Sequence, residues 1–219
     1  MPWPSPRAAG PLVFYVTDRR GFGADEGEAA ARLIETIARA ATAGVDAVQL
    51  REKDLTGRAL LELTQAAVAR AGPGKILVND RLDVALAAGA AGVHLGGESI
   101  GVGDAVSFRA AGHTPADFRI GRSCHALEEV LQAEGDGADY VFFGPVFATP
   151  SKARFGPPQG TEALAAVCRR ARIPVLAIGG ITLENANACL EAGAAGVAAI
   201  RLFQQAEDLA AIVRALRQV

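Results

Sequence analysis

Cysteine is scarce and badly spaced for chemistry. The 219-residue chain has three, Cys124, Cys168 and Cys189, with no Cys-x-x-Cys pair, which argues against a disulfide framework and against a zinc site. Long apolar runs are also missing. No stretch reaches the roughly 18 uncharged residues that a membrane-spanning helix needs, so no membrane association is expected. Basic residues are not massed anywhere, and the net charge is only -2, which speaks against nucleic acid or an anionic membrane surface as a partner. The segment from Met1 to Arg7 has three prolines and lacks the apolar core of a secretory signal. Residues 1–11 therefore read as a flexible leader, residues 12–219 as one domain, and the protein as cytoplasmic.

What is present is an alternation. Short β-branched or aromatic runs at 12–16, 47–50, 76–78, 92–95, 119–123, 140–144, 175–178 and 196–200 are separated by Ala/Leu/Glu/Arg-rich stretches with helical periodicity. Most of these runs are apolar throughout, as strands buried on both faces are. A weak repeat marks every second one: Ala43-Gly-Val-Asp-Ala-Val-Gln-Leu50, Ala88-Gly-Ala-Ala-Gly-Val-His-Leu95, Asp136-Gly-Ala-Asp-Tyr-Val-Phe-Phe143 and Ala192-Gly-Ala-Ala-Gly-Val-Ala-Ala199. Four repeats of two βα units close naturally into a (β/α)8 TIM barrel of the α/β class. An open doubly wound sheet is the competing reading, but the Gly-x-Gly-x-x-Gly that would favour it is absent, Gly21-Phe-Gly23 being the nearest approach.

In such a barrel the chemistry sits where strands end and helices begin. There the sequence places Gln49-Leu-Arg-Glu-Lys53, Asn79-Asp80, His94-Leu-Gly-Gly-Glu-Ser99, Gly121-Arg-Ser-Cys-His125, Thr149-Pro-Ser-Lys152, Gly179-Gly180 and Ile200-Arg201. Arg51, Lys53, Arg122 and Lys152 brought to one mouth would repel one another unless an anion paired with them. Asp80 beside them suits Mg2+, which takes one or two carboxylates together with ligand phosphate oxygens. Gly179-Gly180 matches a second, smaller anion cradle of backbone N–H groups. Small phosphorylated substrates are the expected partners, and a homo-oligomer is compatible with this reading. The segment 145–160 is long enough to act as a lid. His125, at a strand end, reads as functional; His94 is equally a core histidine or a functional one, His113 a surface residue, and the three cysteines packing.

Five of these motifs, Val48-Gln-Leu-Arg-Glu-Lys53, Val78-Asn-Asp-Arg81, Gly92-Val-His-Leu-Gly96, Gly144-Pro-Val-Phe-Ala-Thr-Pro-Ser-Lys152 and Ala177-Ile-Gly-Gly-Ile181, resemble in order the motif series of thiamin phosphate synthases and their TenI-type thiazole tautomerase relatives. The resemblance implies an enzyme of thiamin biosynthesis that joins hydroxymethylpyrimidine diphosphate to a (carboxy)thiazole phosphate and releases diphosphate. It implies substrate contacts along Gln49, Leu50, Arg51, Glu52 and Lys53, at Asn79 and Ser123, along Thr149, Pro150, Ser151 and Lys152, and at Gly179, Gly180, Ile200 and Arg201. Lys152, Ser123 and His125 would serve catalysis, and Asp80 would ligate Mg2+. The chain departs from the family where a second metal-binding Asp is expected and Ser99 stands; Glu98 next to it alternates away. Two alternatives follow from the same resemblance: a tautomerase aromatising carboxythiazole phosphate with His125 as acid and base, and a non-catalytic thiazole-phosphate binding protein.

Overall fold

The computed structural model describes residues 10–23, 25–149 and 157–218. Eight parallel strands close on themselves in sequence order: β1 Leu12–Val16, β2 Ala47–Leu50, β3 Ile76–Asn79, β4 Gly92–Leu95, β5 Arg119–Cys124, β6 Tyr140–Phe143, β7 Val175–Ile178 and β8 Gly196–Ala199. β8 returns to β1 with Leu12 beside Gly196. The fold is the TIM barrel expected. The strand bounds differ by one residue at four C-terminal ends: β3 takes in Asn79 and β5 takes in Cys124, whereas Gly144 and Ile200 fall just outside.

Between the strands lie α1 Glu26–Ala43, α2 Gly57–Ala71, α3 Leu82–Ala87, α4 Val102–Phe108, α5 Leu127–Gly135, α6 Gly160–Arg170, α7 Leu183–Glu191, α8 Arg201–Gln204 and α9 Leu209–Gln218. Their starts follow from the sequence. The Asp25 carboxylate accepts the Glu28 N–H at the head of α1, Thr56 accepts from Ala59 at α2, and Thr182 with Asn185 forms a reciprocal capping box at α7. None of the helices described is long and apolar enough to cross a membrane.

Alternation along the strands divides the core in two. Val13, Tyr15, Val48, Leu50, Val78, Val93, Leu95, Val141, Phe143, Ala177 and Val197 pack outward against the helices. Leu12, Phe14, Val16, Ala47, Leu77, Tyr140, Phe142, Leu176 and Ala198 fill the barrel interior. The period of two therefore decides which residues beyond a strand end belong to the mouth.

The four sequence repeats resolve into two kinds. Asp46 accepts the Val13 N–H at 2.7 Å and pairs with Arg217 at 3.0 Å; Asp139 accepts the Ile120 N–H at 2.7 Å and pairs with Arg109 at 2.6 Å. Gly92 and Gly196, at the corresponding starts of β4 and β8, lie so close to the next strand that a Cβ would sit 2.3 Å from the Arg119 carbonyl oxygen and 2.0 Å from that of Leu12. Residues around β1–β4 thus match those around β5–β8, and the barrel has half-barrel symmetry. These clamps lie at the N-terminal ends of the strands, the end that serves stability.

Candidate active site

At the opposite end, four polar residues stand at inward positions on neighbouring strands: Gln49 on β2, Asn79 on β3, His94 on β4 and Ser123 on β5, Asn79 and His94 being partners in register. Gln49 Nε2 donates to Asn79 Oδ1 at 2.8 Å, and Asn79 Nδ2 donates to Asp80 Oδ2 at 2.6 Å. Lys53 Nζ lies 3.4 Å from the same oxygen. The other oxygen, Oδ1, accepts from the Gly96 N–H at 2.7 Å and from the Ser99 hydroxyl. Asp80 holds a positive φ of 63°, a conformation that costs energy outside glycine and is maintained by these surrounding bonds. Burial pushes its carboxyl up, but Ser99, the Gly96 N–H and Lys53 together hold it below the ordinary aspartate value.

The run Arg51-Glu52-Lys53-Asp54 splits by alternate residues. Glu52 is buried and turns to β1, where its carboxylate accepts from the Thr17 hydroxyl at 2.5 Å, from the Arg19 N–H at 3.0 Å and from Arg19 Nη1 at 3.4 Å. Asp54 takes both ends of the same guanidinium at 2.7 Å. Lys53 goes the other way, to Asp80. Arg51, in phase with inward Gln49, donates its backbone N–H to Thr17 Oγ1 at 2.9 Å, and its guanidinium has no carboxylate partner among the described residues. Thr17 and Arg19 were not among the expected site residues, although they follow β1 at the same end and the strand-end rule covers them equally. A hollow of about 350 Å3 flanks this network, lined by Arg19, Arg20, Gly23, Glu26, Ala29 and Asp54; its charges pair with one another, so it offers less to an anion than the mouth does.

His94 is fully buried. Its Nδ1 meets the Tyr140 hydroxyl at 3.0 Å, its Nε2 meets Ser123 Oγ at 2.9 Å, and its ring lies 4.2 Å from Phe142. Burial lowers its pKa to about 3, helped by the Arg122 and Arg51 fields against that of Asp80, so the imidazole is neutral. Arg122 itself does not join the mouth as expected: it is out of phase with Ser123 and pairs in register with Leu95 and Val141, both of which face the helices. His125 is exposed, with its N–H on Glu129 Oε2 at 2.5 Å and Nδ1 against the Gly144 carbonyl oxygen. A carbonyl only accepts, so Nδ1 carries a proton, and Nε2 has no hydrogen-bond partner among the described residues. Cys124 faces the helices, and burial pushes its thiol up to about 12, as a packing cysteine requires.

Gly179 and Gly180, with φ of 97° and 67°, turn the chain after β7. A Cβ at Gly179 would lie 2.5 Å from Pro145 Cβ, and one at Gly180 would lie 2.6 Å from the Ala148 carbonyl oxygen. The segment after β6 is laid directly on this turn, Val146 N–H on Ile178 O at 2.9 Å and Phe147 N–H on Gly179 O at 3.0 Å. Ile200 packs onto the interior cluster, and exposed Arg201 begins α8. Thr149 is half-buried; Pro150, Ser151 and Lys152, like much of the expected lid and the leader through residue 9, lie outside the described residues. Two expected contacts are corrected for their side chains. Leu50 is wholly inside the outer core, and Glu52 is spent on Thr17 and Arg19, so neither presents a side chain to the mouth.

Among the described residues no three His, Cys, Asp or Glu side chains gather as a metal cluster. Asp80 is the mouth's carboxylate on the β3 side, and Ser99 stands against it where a second carboxylate was expected, while Glu98 is exposed. The donor set fits a one-carboxylate Mg2+ site completed by ligand phosphate oxygens.

The model of the family described as thiamine monophosphate synthase matches residues 21–203. The chain belongs to that family. It is 42% identical over 221 residues to the thiamine-phosphate synthase of Roseiflexus castenholzii, covering all of this chain and 91% of that one. It is 44% identical over 200 residues to the thiamine-phosphate synthase of Methanocella arvoryzae, covering 89% and 91%. Among solved structures, the thiamine phosphate pyrophosphorylase of Pyrococcus furiosus aligns with a TM-score of 0.76 at 34% identity, covering 94% of each chain. This chain shares its fold with that structure, and the mouth residues above sit at the strand ends of the barrel.

Proposed function

We propose that the protein is a thiamine-phosphate synthase that joins hydroxymethylpyrimidine diphosphate to a thiazole phosphate. The observation that carries this is the unbroken line Gln49–Asn79–Asp80–Lys53, with Arg51 beside it: amide, carboxylate and two cations at one mouth. In the reaction the carbon–oxygen bond to the diphosphate breaks with its electron pair leaving on the diphosphate, and the thiazole nitrogen supplies the pair for the new carbon–nitrogen bond. No side chain needs to be a nucleophile. What the chain contributes is charge and placement. On this reading Arg51, Lys53 and Asn79 hold the leaving group, Ser123 touches its edge, and Gln49 lies on the pyrimidine side. The turn at Gly179 and Gly180 and the backbone at Ile200 and Arg201 suit the thiazole phosphate, and Lys152 from the segment after β6 is proposed as a further diphosphate cation. Mg2+ held by Asp80 would supply added neutralisation of the leaving diphosphate.

A second reading has one observation in its favour: His125, fixed through Nδ1, keeps a free Nε2 fit for the proton transfer of a thiazole tautomerase. That reaction has no use for the Gln49–Lys53 line, which is why the synthase is preferred. The test is to incubate the protein with both phosphorylated substrates and Mg2+ and to follow diphosphate release. Release that is lost in Asp80→Ala and Lys152→Ala supports the synthase. Absence of release, with conversion of the non-aromatic thiazole carboxylate that stops in His125→Ala, establishes the tautomerase instead.

A further inference from the structure

His94 lies between two hydroxyls, one buried and one at the mouth. Tyr140 OH stands 3.0 Å from Nδ1 and Ser123 Oγ 2.9 Å from Nε2. The ring has no exposure and is flanked by Phe142 and Tyr140 at centroid distances of 4.2 and 5.5 Å. Neither nitrogen meets a carboxylate, and a buried ring bonded to two neutral hydroxyls carries one proton. Only two arrangements then satisfy the chain. If the proton is on Nδ1 it goes to the Tyr140 oxygen, Nε2 accepts the Ser123 proton, and Ser123 has only lone pairs for the mouth. If the proton is on Nε2 it goes to the Ser123 oxygen, Tyr140 donates to Nδ1, and the Ser123 hydrogen is free to point outward. An anion at the mouth accepts hydrogen bonds and donates none, so only the second arrangement makes Ser123 useful to it.

We propose that Tyr140 and His94 are positioning residues that, through the Nε2–H form of the imidazole, hold the Ser123 hydroxyl as a hydrogen-bond donor to the diphosphate. The inference rests on the synthase reading, because it takes the ligand at the mouth to be that anion. It also accounts for the interior packing: Gly121 is the β5 residue beside Tyr140, and a Cβ there would fall 2.1 Å from the phenol Cζ. The barrel has left room for a tyrosine whose hydroxyl reaches His94, where a smaller residue would have filled the layer without it.

Two measurements on the whole protein test this. Long-range 15N–1H spectra report which ring nitrogen of His94 is protonated, whether or not ligand is present. The expected pattern is Nε2–H with a bare Nδ1; an Nδ1–H pattern in the presence of pyrophosphate overturns the relay. Pyrophosphate affinity with Mg2+, by calorimetry, is then compared in a cycle of Tyr140→Phe, Ser123→Ala and the double variant. Tyr140→Phe keeps the ring that packs on Phe14 and Phe142, and a thermal melt checks that it folds. Loss of a hydrogen bond to a charged group predicts roughly 10-fold weaker binding for either single variant, and no further loss in the double. Equal, additive losses mean that Tyr140 acts on the barrel and not through Ser123. Failure of the wild-type protein to bind pyrophosphate at all sinks the diphosphate site, and this inference with it.

Discussion

Arg19 is the residue whose removal most directly tests how the mouth is built. In Arg19→Ala, Glu52 stays behind a surface that leaves only 1% of its side chain exposed, with Thr17 Oγ1 and the residue-19 N–H still bonded to it. Removing one partner of a buried ion pair costs about 3–5 kcal/mol. Because those two donors survive, the lower end applies, about 3 kcal/mol, or about 6–12 °C in Tm for a domain of this size. Arg51 and Lys53 flank Glu52, so loosening its anchor also releases the two cations, and KM for the diphosphate substrate is expected to rise several-fold with a smaller change in kcat.

The pH dependence separates this account from generic damage. Burial pushes the Glu52 carboxyl above its ordinary value, against Thr17 and Arg19, which pull it down; without the guanidinium it rises further. A carboxyl with a raised folded pKa favours the fold below its unfolded pKa and loses that contribution as pH rises through the folded one. The deficit of Arg19→Ala is therefore larger near pH 8 than near pH 5. Asp54 works the other way: its hydrogen bonds to Arg19 hold it well below the ordinary range, so its contribution is complete above the unfolded value and vanishes only in stronger acid. Between about pH 5 and pH 8 it is constant, and the difference reports Glu52 alone. Thermal melts at the two pH values, with Arg19→Met/Glu52→Gln as the variant that removes both buried charges, check this. A Tm drop under about 3 °C at pH 8, a drop that does not shrink at pH 5, or a double variant no better than the single refutes the reasoning.

Lys53→Ala is expected to leave the melt within about 1 kcal/mol of wild type, since its pair with Asp80 is half-exposed. It should weaken pyrophosphate binding by roughly 10-fold or more in calorimetry, and move the acid limb of the pH–rate profile upward as Asp80 loses one of the groups that hold it low. Gly179→Ala and Gly180→Ala put a Cβ against Pro145 and the Ala148 carbonyl at positive φ, and each should destabilise by about 2–4 kcal/mol in denaturant titration while raising KM for the thiazole phosphate. Gly121→Ala, which overlaps the Tyr140 ring, should cost about 1–3 kcal/mol and disturb the His94 spectrum, whereas Gly97→Ala, which meets nothing within 4 Å, should do neither.

The fold was legible because the two periods are written plainly: apolar runs of strand length, and Ala/Leu/Glu/Arg-rich stretches of helical period between them. Asn79, Asp80 and Lys53 were legible because a polar residue just past a buried strand has one natural place to go. Arg122 shows where that reasoning fails. It too stands at a strand end, but a strand has two faces, and only the register with Leu95 and Val141 tells that this arginine is on the helix side. Glu52 and Leu50 fail for the same reason within a single motif. Arg19 was hidden differently: its partners are 33 and 35 positions away, and neither a run nor a spacing announces a contact between two loops that meet only when β1 and β2 pair.

Burial also distinguishes the two ion pairs that share the loop after β2. Arg19 and Glu52 leave 5% and 1% of their side chains exposed, whereas Lys53 and Asp80 leave 51% and 28%. A pair in water is worth about 0–1 kcal/mol and exchanges partners readily; a buried pair with its hydrogen bonds made is costly to break. Adjacent residues on one short segment therefore do opposite jobs. Glu52 fixes the backbone, and Lys53, resting on Asp80 at little gain, would on the proposed reading turn to an arriving diphosphate at little loss, leaving Asp80 Oδ2 to its Asn79 donor.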